Sequence, residues 1–210
     1  MKIVEKYSHL NGEEHLIVHK STIYQEIKDV IAGVDAMKLR TKTSKEKTMR
    51  GKKLFSPPAL NAAFKHLFNG FGWDESRYHY YVTTNRQHMQ ELLNLSIEDQ
   101  EKYLVGKGVK APIKSFKQTD FVKERVAVEV QFGKYAFVAF DLFVKHLLFY
   151  SGGMINVGVE VLPMKSMTRD PDGGRMMSTG IAYFEGEVYN ILRHGRGSPA
   201  VPLLVIGVSP

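Results

Sequence analysis

Asp120, Glu129 and Gln131 are the residues of this 210-residue chain whose types and spacing best suit chemistry. In the segment from Thr119 to Phe132, Val126, Val128, Val130 and Phe132 alternate with Ala127, Glu129 and Gln131. A strand repeats every two residues, so Glu129 and Gln131 share one face, about 6.5–7 Å apart along the chain, while the valines form an apolar face. A carboxylate on a stiff strand, with a second carboxylate nine positions upstream at Asp120, suits a hard divalent cation such as Mg²⁺. The backbone carbonyl of Val130 passes the same point and is a third candidate ligand. Gln131 carries no charge and cannot act as a base, but its amide can donate and accept hydrogen bonds and so hold a water. Spacing alone leaves a plainer alternative open, because a glutamate on an alternating strand commonly just faces solvent.

Several elements must position these residues. A strand near 117–122 leads into the strand 125–132. The apolar-rich run 136–150 predicts a helix, ended by Ser151, Gly152 and Gly153. A buried strand follows over 156–162. Next comes a turn-rich loop over 168–180 with Pro171, Gly173, Gly174 and Gly180, then a helix over 181–193 and an apolar strand over 202–208. Upstream, Ile23, Ile27, Val30 and Ile31 predict a helix over most of 20–33. Ser56, Pro57 and Pro58 open another over 59–68. A turn at 70–73, a strand over 78–83 and helices over 87–95 and 97–105 complete the first half. Trp73 reads as packing. Strand, strand, helix, strand fits an α/β fold. Within the 136–150 run, Asp141 and Lys145 read as a helix-surface pair four residues apart. Glu160 is left open between a place near the metal and an ion pair.

The net charge of +7 (29 basic against 22 acidic side chains) favours an anionic partner without identifying one. The distribution says more. Arg40, Lys42, Lys45, Lys47, Arg50, Lys52 and Lys53 stand against one acid, Glu46, within 14 residues. They form either a clamp for phosphates or a solvated, mobile loop. The absence of cysteine excludes a disulfide framework and a thiolate metal site. Residues 1–6 are too polar to open a signal peptide, and the 136–150 run is too short to span a bilayer, so no membrane partner is expected.

The segments Gln118-Thr-Asp-Phe-Val-Lys123, Glu129-Val-Gln-Phe-Gly-Lys-Tyr135 and Asp141-Leu-Phe-Val-Lys-His146 resemble those of type II restriction endonucleases with the PD-(D/E)xK fold. So do Val157–Glu160, Leu162–Lys165, Tyr183–Glu187, Gly195–Gly197, Tyr7–Gly12 and Ser44–Thr48. Glu-Val-Gln in place of the commoner Glu-x-Lys marks the BglII/BstYI family, with the BstYI-type members nearest, and the resemblance covers almost the whole chain. It implies a mixed central sheet flanked by helices, more strongly than the order of the elements does. It implies one restriction-endonuclease domain over 1–210, with a helical, basic and DNA-clamping part over 1–110 and a catalytic and base-recognition core over 111–210. It implies Mg²⁺-dependent phosphodiester hydrolysis by Asp120, Glu129 and Gln131, with the metal held by Asp120, Glu129 and Val130. It also implies a homodimer on double-stranded DNA, in the bacterial cytoplasm. The cut would fall at a palindromic GATC-cored site, R-GATC-Y, leaving four-base 5′ overhangs.

For base recognition the resemblance points to Lys134, Arg175, Ser178 and Thr179. A lysine three residues past Gln131 can donate to purine N7 or O6; the alternatives are an ordinary exposed lysine and a plain polar turn. Arg40, Lys42, Lys45, Lys47 and Lys123 are expected along the DNA backbone, and Arg193 and Arg196 are weaker candidates. Two rival functions remain: a binding protein that recognises DNA without cutting, and a repair-type nuclease with the same core.

Overall fold

The computed structural model describes residues 1–170, 172–195 and 197–210; Pro171 of the long loop and Arg196 lie outside them. In chain order the elements are β1 (Lys2–His9), α1 (Gly12–His19), α2 (Ser21–Gly33), β2 (Lys42–Thr43), β3 (Lys53–Leu54), α3 (Pro57–Gly70), β4 (Asp74–Val82), α4 (Arg86–Leu92), α5 (Ile97–Gly106), β5 (Ile113–Lys123), β6 (Val126–Val130), α6 (Tyr135–Phe140), α7 (His146–Ser151), β7 (Val157–Pro163), α8 (Phe184–Arg193) and β8 (Leu203–Ser209). A π-helical turn over Asp141–Lys145 joins α6 to α7. The chain forms two compact units, one of Met1–Glu75 with Thr119–Pro210 and one of Ser76–Gln118. The division expected near residue 110 falls in the connection between α5 and β5.

In the larger unit the sheet order is β1-β8-β7-β6-β5. The pairs β8–β7 and β7–β6 are parallel, and β1–β8 and β6–β5 antiparallel. The two central strands are valine-rich and buried throughout, as parallel strands covered on both faces are. Their alternation sorts the side chains. Val126, Val128, Val130, Val157, Val159 and Val161 join Ile23, Ile27 and Val30 of α2 and Phe64 and Phe68 of α3 in one core. On the other face Leu162, Leu203 and Val205 meet Val138, Leu142, Phe184 and Ile191. The result is three layers, helix on sheet on helix. The helix over 136–150 is therefore not a surface element but the cover of the second face.

Local chemistry explains the boundaries. Ser56 caps α3, its hydroxyl accepting from the Ala59 N–H at 3.4 Å, with Pro57 and Pro58 opening the helix. Gly12 opens α1 because a Cβ there would collide with the Leu203 backbone. Lys20, at φ −141°, separates α1 from α2, so the expected helix over 20–33 has a short partner before it. Strand β1 was not expected; it is a largely exposed edge with charged Lys2, Glu5 and Lys6, so it lacks an apolar alternation. Phe68 anchors the β5–β6 end, with ring centroids 4.5 Å from Phe121 and 5.3 Å from Trp73. Trp73 also donates to Glu26 at 2.9 Å, in keeping with a packing role.

The smaller unit holds α4, α5, most of β4 and the first part of β5, with Tyr81, Leu92 and Leu104 as its core. Buried Gln100 ties it together, accepting from the Tyr81 N–H at 2.8 Å and donating to the Leu92 and Leu95 carbonyls. Among the described residues no helix is long and apolar enough to cross a membrane.

Candidate active site

Strands β5 and β6 are joined by a two-residue turn, Glu124 and Arg125, both at positive φ (45° and 66°), as a tight hairpin with right-handed strand twist requires. That turn fixes the register Lys123↔Val126, Val122↔Ala127 and Phe121↔Val128. One further step sets Asp120 opposite Glu129, where facing side chains lie about 4.5–5.5 Å apart at Cβ. On the other side Glu129 is the parallel partner of Glu160. Three acids therefore stand in a row across β5, β6 and β7.

Their environments differ sharply. Asp120 is exposed, Glu129 is 2% exposed and Glu160 is fully buried. The π-helical turn lies over them and adds Asp141, Lys145 and His146. Its extra residue shows in the bond from the His146 N–H to the Asp141 carbonyl, five positions back. Lys145 Nζ is 2.7 Å from Glu129 Oε1 and 2.7 Å from Asp141 Oδ1, with its side chain 13% exposed. Oε1 of Glu129 has ion-pair contact but no aligned hydrogen-bond donor. The expected helix-surface pair is thus corrected: Asp141 and Lys145 are buried against β6, because the face that carries Glu129 is covered by helix instead of water.

Burial dominates the electrostatics. It pushes the Glu129 carboxyl up to about 8, with Lys145 opposing and Asp120 and Asp141 reinforcing. Burial likewise raises Asp141, against the pull of Lys145. Lys145 is desolvated too, yet Glu129 and Asp141 raise its pKa above the ordinary lysine range, so it stays charged. Glu160 is raised well above the usual carboxyl range by burial and by the neighbouring acids. His146 is pushed down to about 3 by burial and by Lys145. The 3.5 Å approach of His146 Nε2 to Glu160 is therefore one of neutral groups, not an ion pair.

Gln131 sits just past β6 and is half-buried. Its Oε1 accepts from the Gly133 N–H at 2.8 Å, a fold-back that a Cβ at 133 would block. The Gln131 side chain also lies near enough to Asp141 to pull that carboxyl's pKa down. Lys134 is exposed at the start of α6. It pairs with Ile181, while Tyr135 N–H donates to the Gly180 carbonyl at 3.2 Å and Ala182 N–H to Gly133 at 3.0 Å. The structure thus fastens the far end of the 168–180 loop to the residues that follow Gln131. Those bonds use 180–182, so α8 begins later than the expected helix. Arg175, Ser178 and Thr179 line a cleft of about 520 Å³ with Tyr135, Tyr183 and Glu187.

The basic segment is more ordered than a solvated loop. Strands β2 and β3 pair, Ser44 and Met49 are buried, and the Ser44 N–H donates to Lys52. Lys42 Nζ donates to Ser178 Oγ at 2.6 Å, and Glu46 accepts from the Thr179 N–H at 3.3 Å. Arg40 packs over the Phe55 ring and donates to the Lys53 carbonyl. Lys45 and Lys47 are exposed. Lys123 departs from the expected DNA-backbone role. Its ammonium is held by both Glu26 oxygens at 2.8 Å and the Phe71 carbonyl at 2.7 Å, so the α2–β5 packing takes the group.

The family model of restriction endonuclease BglII/BglIII matches residues 4–208. The chain belongs to this family. It is accordingly a type II restriction endonuclease, a nuclease that binds DNA and cleaves it sequence-specifically. The crystal structure of restriction endonuclease BglII complexed with a DNA 16-mer aligns with a TM-score of 0.64 at 18% identity, covering 100% of this chain and 79% of that one. Free BglII gives 0.56 at 16% identity, covering 100% and 80%. These likenesses show the fold. No curated protein sequence matches the chain.

Members of a DNA-cleaving family of this kind depend on a divalent metal in general, and the residues here fit one. Among the described residues no group of three or more acids and histidines is placed to hold a metal ion by itself. A hard cation that binds phosphate does not need one, since one or two carboxylates with waters and substrate oxygens suffice. The facing pair Asp120 and Glu129 meets that requirement. The sequence reading missed the part played by Asp141, Lys145 and His146. The available signal was polar side chains set inside an otherwise apolar run.

Proposed function

We propose that this BglII/BglIII family endonuclease is a Mg²⁺-dependent homodimer that cuts both strands of a palindromic GATC-cored site, R-GATC-Y, leaving four-base 5′ overhangs. The observation that carries the reading is the facing of Asp120 and Glu129 across the β5–β6 hairpin, one residue from Gln131. Asp120, Glu129 and the Val130 carbonyl are the groups to hold the cation. When bound, the ion supplies an acidified water and neutralises charge on the scissile phosphate. Gln131, with its carbonyl oxygen turned to the Gly133 N–H, has its amide N–H groups on the side from which to orient the attacking water. In the reaction the water oxygen bonds to phosphorus, the ester P–O bond breaks, and the leaving oxygen takes up a proton.

Site reading falls to Lys134, Ser178, Thr179 and Arg175, the positions that most resemble a BstYI-type enzyme. Lys134 and the loop are fastened together in the fold, as joint reading of a few adjacent bases needs. Arg40, Lys42, Lys45 and Lys47 would meet the phosphates. Two identical chains each reading one half-site give the palindrome. Phe137 and Val144, and Tyr189 and Leu192 of α8, which packs against α6, are exposed apolar residues suited to such a pairing. The whole of 1–210 would act as one endonuclease domain in the bacterial cytoplasm, with 1–110 clamping DNA and 111–210 carrying catalysis.

Plasmid incubated with the protein and Mg²⁺ should give discrete bands, and sequencing of the product ends should return R-GATC-Y with four-base 5′ extensions. A smear would indicate a nuclease without site choice. A shifted gel band without cleavage would indicate a binding protein. Either result overturns the proposal.

A further inference from the structure

We propose that Lys145 does in this site the work of the lysine that Gln131 replaces: it supplies the positive charge from the helix side and fixes Glu129 and, through Asp141, Gln131. The inference rests on the hydrolytic reading above and adds a positioning residue to it.

Four features of the fold support this. Gln131 is neutral, so the row Asp120, Glu129 and Glu160, with Asp141 above it, needs a basic partner from another element. Lys145 is that partner, with Nζ 2.7 Å from both Glu129 and Asp141. Its side chain is only 13% exposed, whereas lysine is almost never buried unless paired. The π-helical turn sets Asp141 and Lys145 together against β6. Finally, the contacts are continuous: Glu129 to Lys145, Lys145 to Asp141, Asp141 to Gln131, and Gln131 to the Gly133 N–H. Burying an ion pair is not a requirement of stability, since apolar residues of similar volume often serve the fold as well. A site that must hold one ammonium beside two carboxylates does require it. In the cleavage step Lys145 neither gives nor takes a proton. The attacking water loses its proton to solvent, and the leaving oxygen gains one from solvent.

The experiment moves the charge. Cleavage is measured under single-turnover conditions at saturating Mg²⁺ for the parent, Lys145→Met, and Lys145→Met with Gln131→Lys. Tm and cognate-DNA affinity in EDTA are recorded for each. Lys145→Met should cleave about 100-fold more slowly, the order of loss for removing one preorganised charged or polar group from a site. Its DNA affinity without metal should stay within about threefold of the parent, so that the loss lies in the reacting step and not in binding. Adding Gln131→Lys should restore about tenfold or more, a rescue that a purely structural role for Lys145 would not produce. Should Lys145→Met fail to fold, Asp141→Asn with Lys145→Met removes both charges and becomes the background for Gln131→Lys. A parent that cleaves beside a Lys145→Met that cleaves equally fast overturns this proposal alone, as does a folded double variant with no rescue. A parent that does not cleave overturns the hydrolytic reading and this proposal with it.

Discussion

Asp120 and Gln131 make different demands on the site, and their substitutions should separate. Asp120→Ala removes a carboxylate that faces Glu129 across the hairpin. Gln131→Ala removes an amide whose carbonyl is already turned to Gly133. Loss of an orienting group of that kind typically costs about 10–100-fold. Single-turnover rates at saturating Mg²⁺ should therefore fall further for Asp120→Ala than for Gln131→Ala; equal losses would contradict the assignment. The raised Glu129 pKa adds a pH effect. Burial makes the carboxyl easier to protonate as pH falls, and a cation must then compete with that proton. The Mg²⁺ concentration for half-maximal cleavage should accordingly fall as pH rises toward 8 and level off above it. A half-saturation independent of pH would show that Glu129 is already ionised. Alternation and a nearby Asp drew attention to these residues in the sequence, and the family resemblance singled them out. Asp141 and Lys145 were not legible, because a pair four residues apart reads the same on a wet face and a buried one.

The elements carry a separate consequence in Glu160, which has no hydrogen-bond partner at either oxygen and faces a neutral histidine. Its folded pKa lies above its unfolded value, so the folded state holds a proton that the unfolded chain releases. That contribution is present at low pH and is lost as pH rises above the ordinary glutamate range. Glu160→Gln abolishes the titration, so its Tm should gain on that of the parent between about pH 5 and pH 8. A constant difference would mean that Glu160 titrates normally. Packing gives a second prediction: Phe64, fully buried and 5.6 Å from the Phe132 ring, should cost about 3–5 kcal/mol on change to Ala, read by denaturant unfolding. Helices 20–33 and 59–68 and the three core strands were legible from period and capping alone. The β1 edge was not, since its residues are polar, and neither was the π-helical turn, since one extra residue leaves composition unchanged.

At the level of the whole molecule, the proposed function gives the exposed cations of the basic segment the task of setting the affinity for any DNA sequence. Each phosphate contact removed should lower the slope of log affinity against log salt by about 1 unit. Lys45→Ala and Lys47→Ala should each do so without changing site preference, measured by binding titrations at several salt concentrations. An unchanged slope would place both lysines off the DNA. Lys123→Ala should lower Tm instead, because its partners are Glu26 and Phe71. The mixed sheet was legible from the family resemblance more than from the order of its strands. The division into two units was not, because its limits at Glu75 and Thr119 run inside strands β4 and β5, where no change of composition marks them.

The helix that covers the second sheet face has no freedom in its length. Each residue of an α-helix turns the chain by about 100°. Deleting one residue between Asp141 and Lys145 would remove the extra residue of the π-helical turn and let the span close to a regular α-helix, losing the spacing that holds Lys145 against both Asp141 and Glu129. Surface loops absorb an insertion or a loss at little cost; this span cannot, and a single-codon deletion there should silence the enzyme while leaving most of its fold standing.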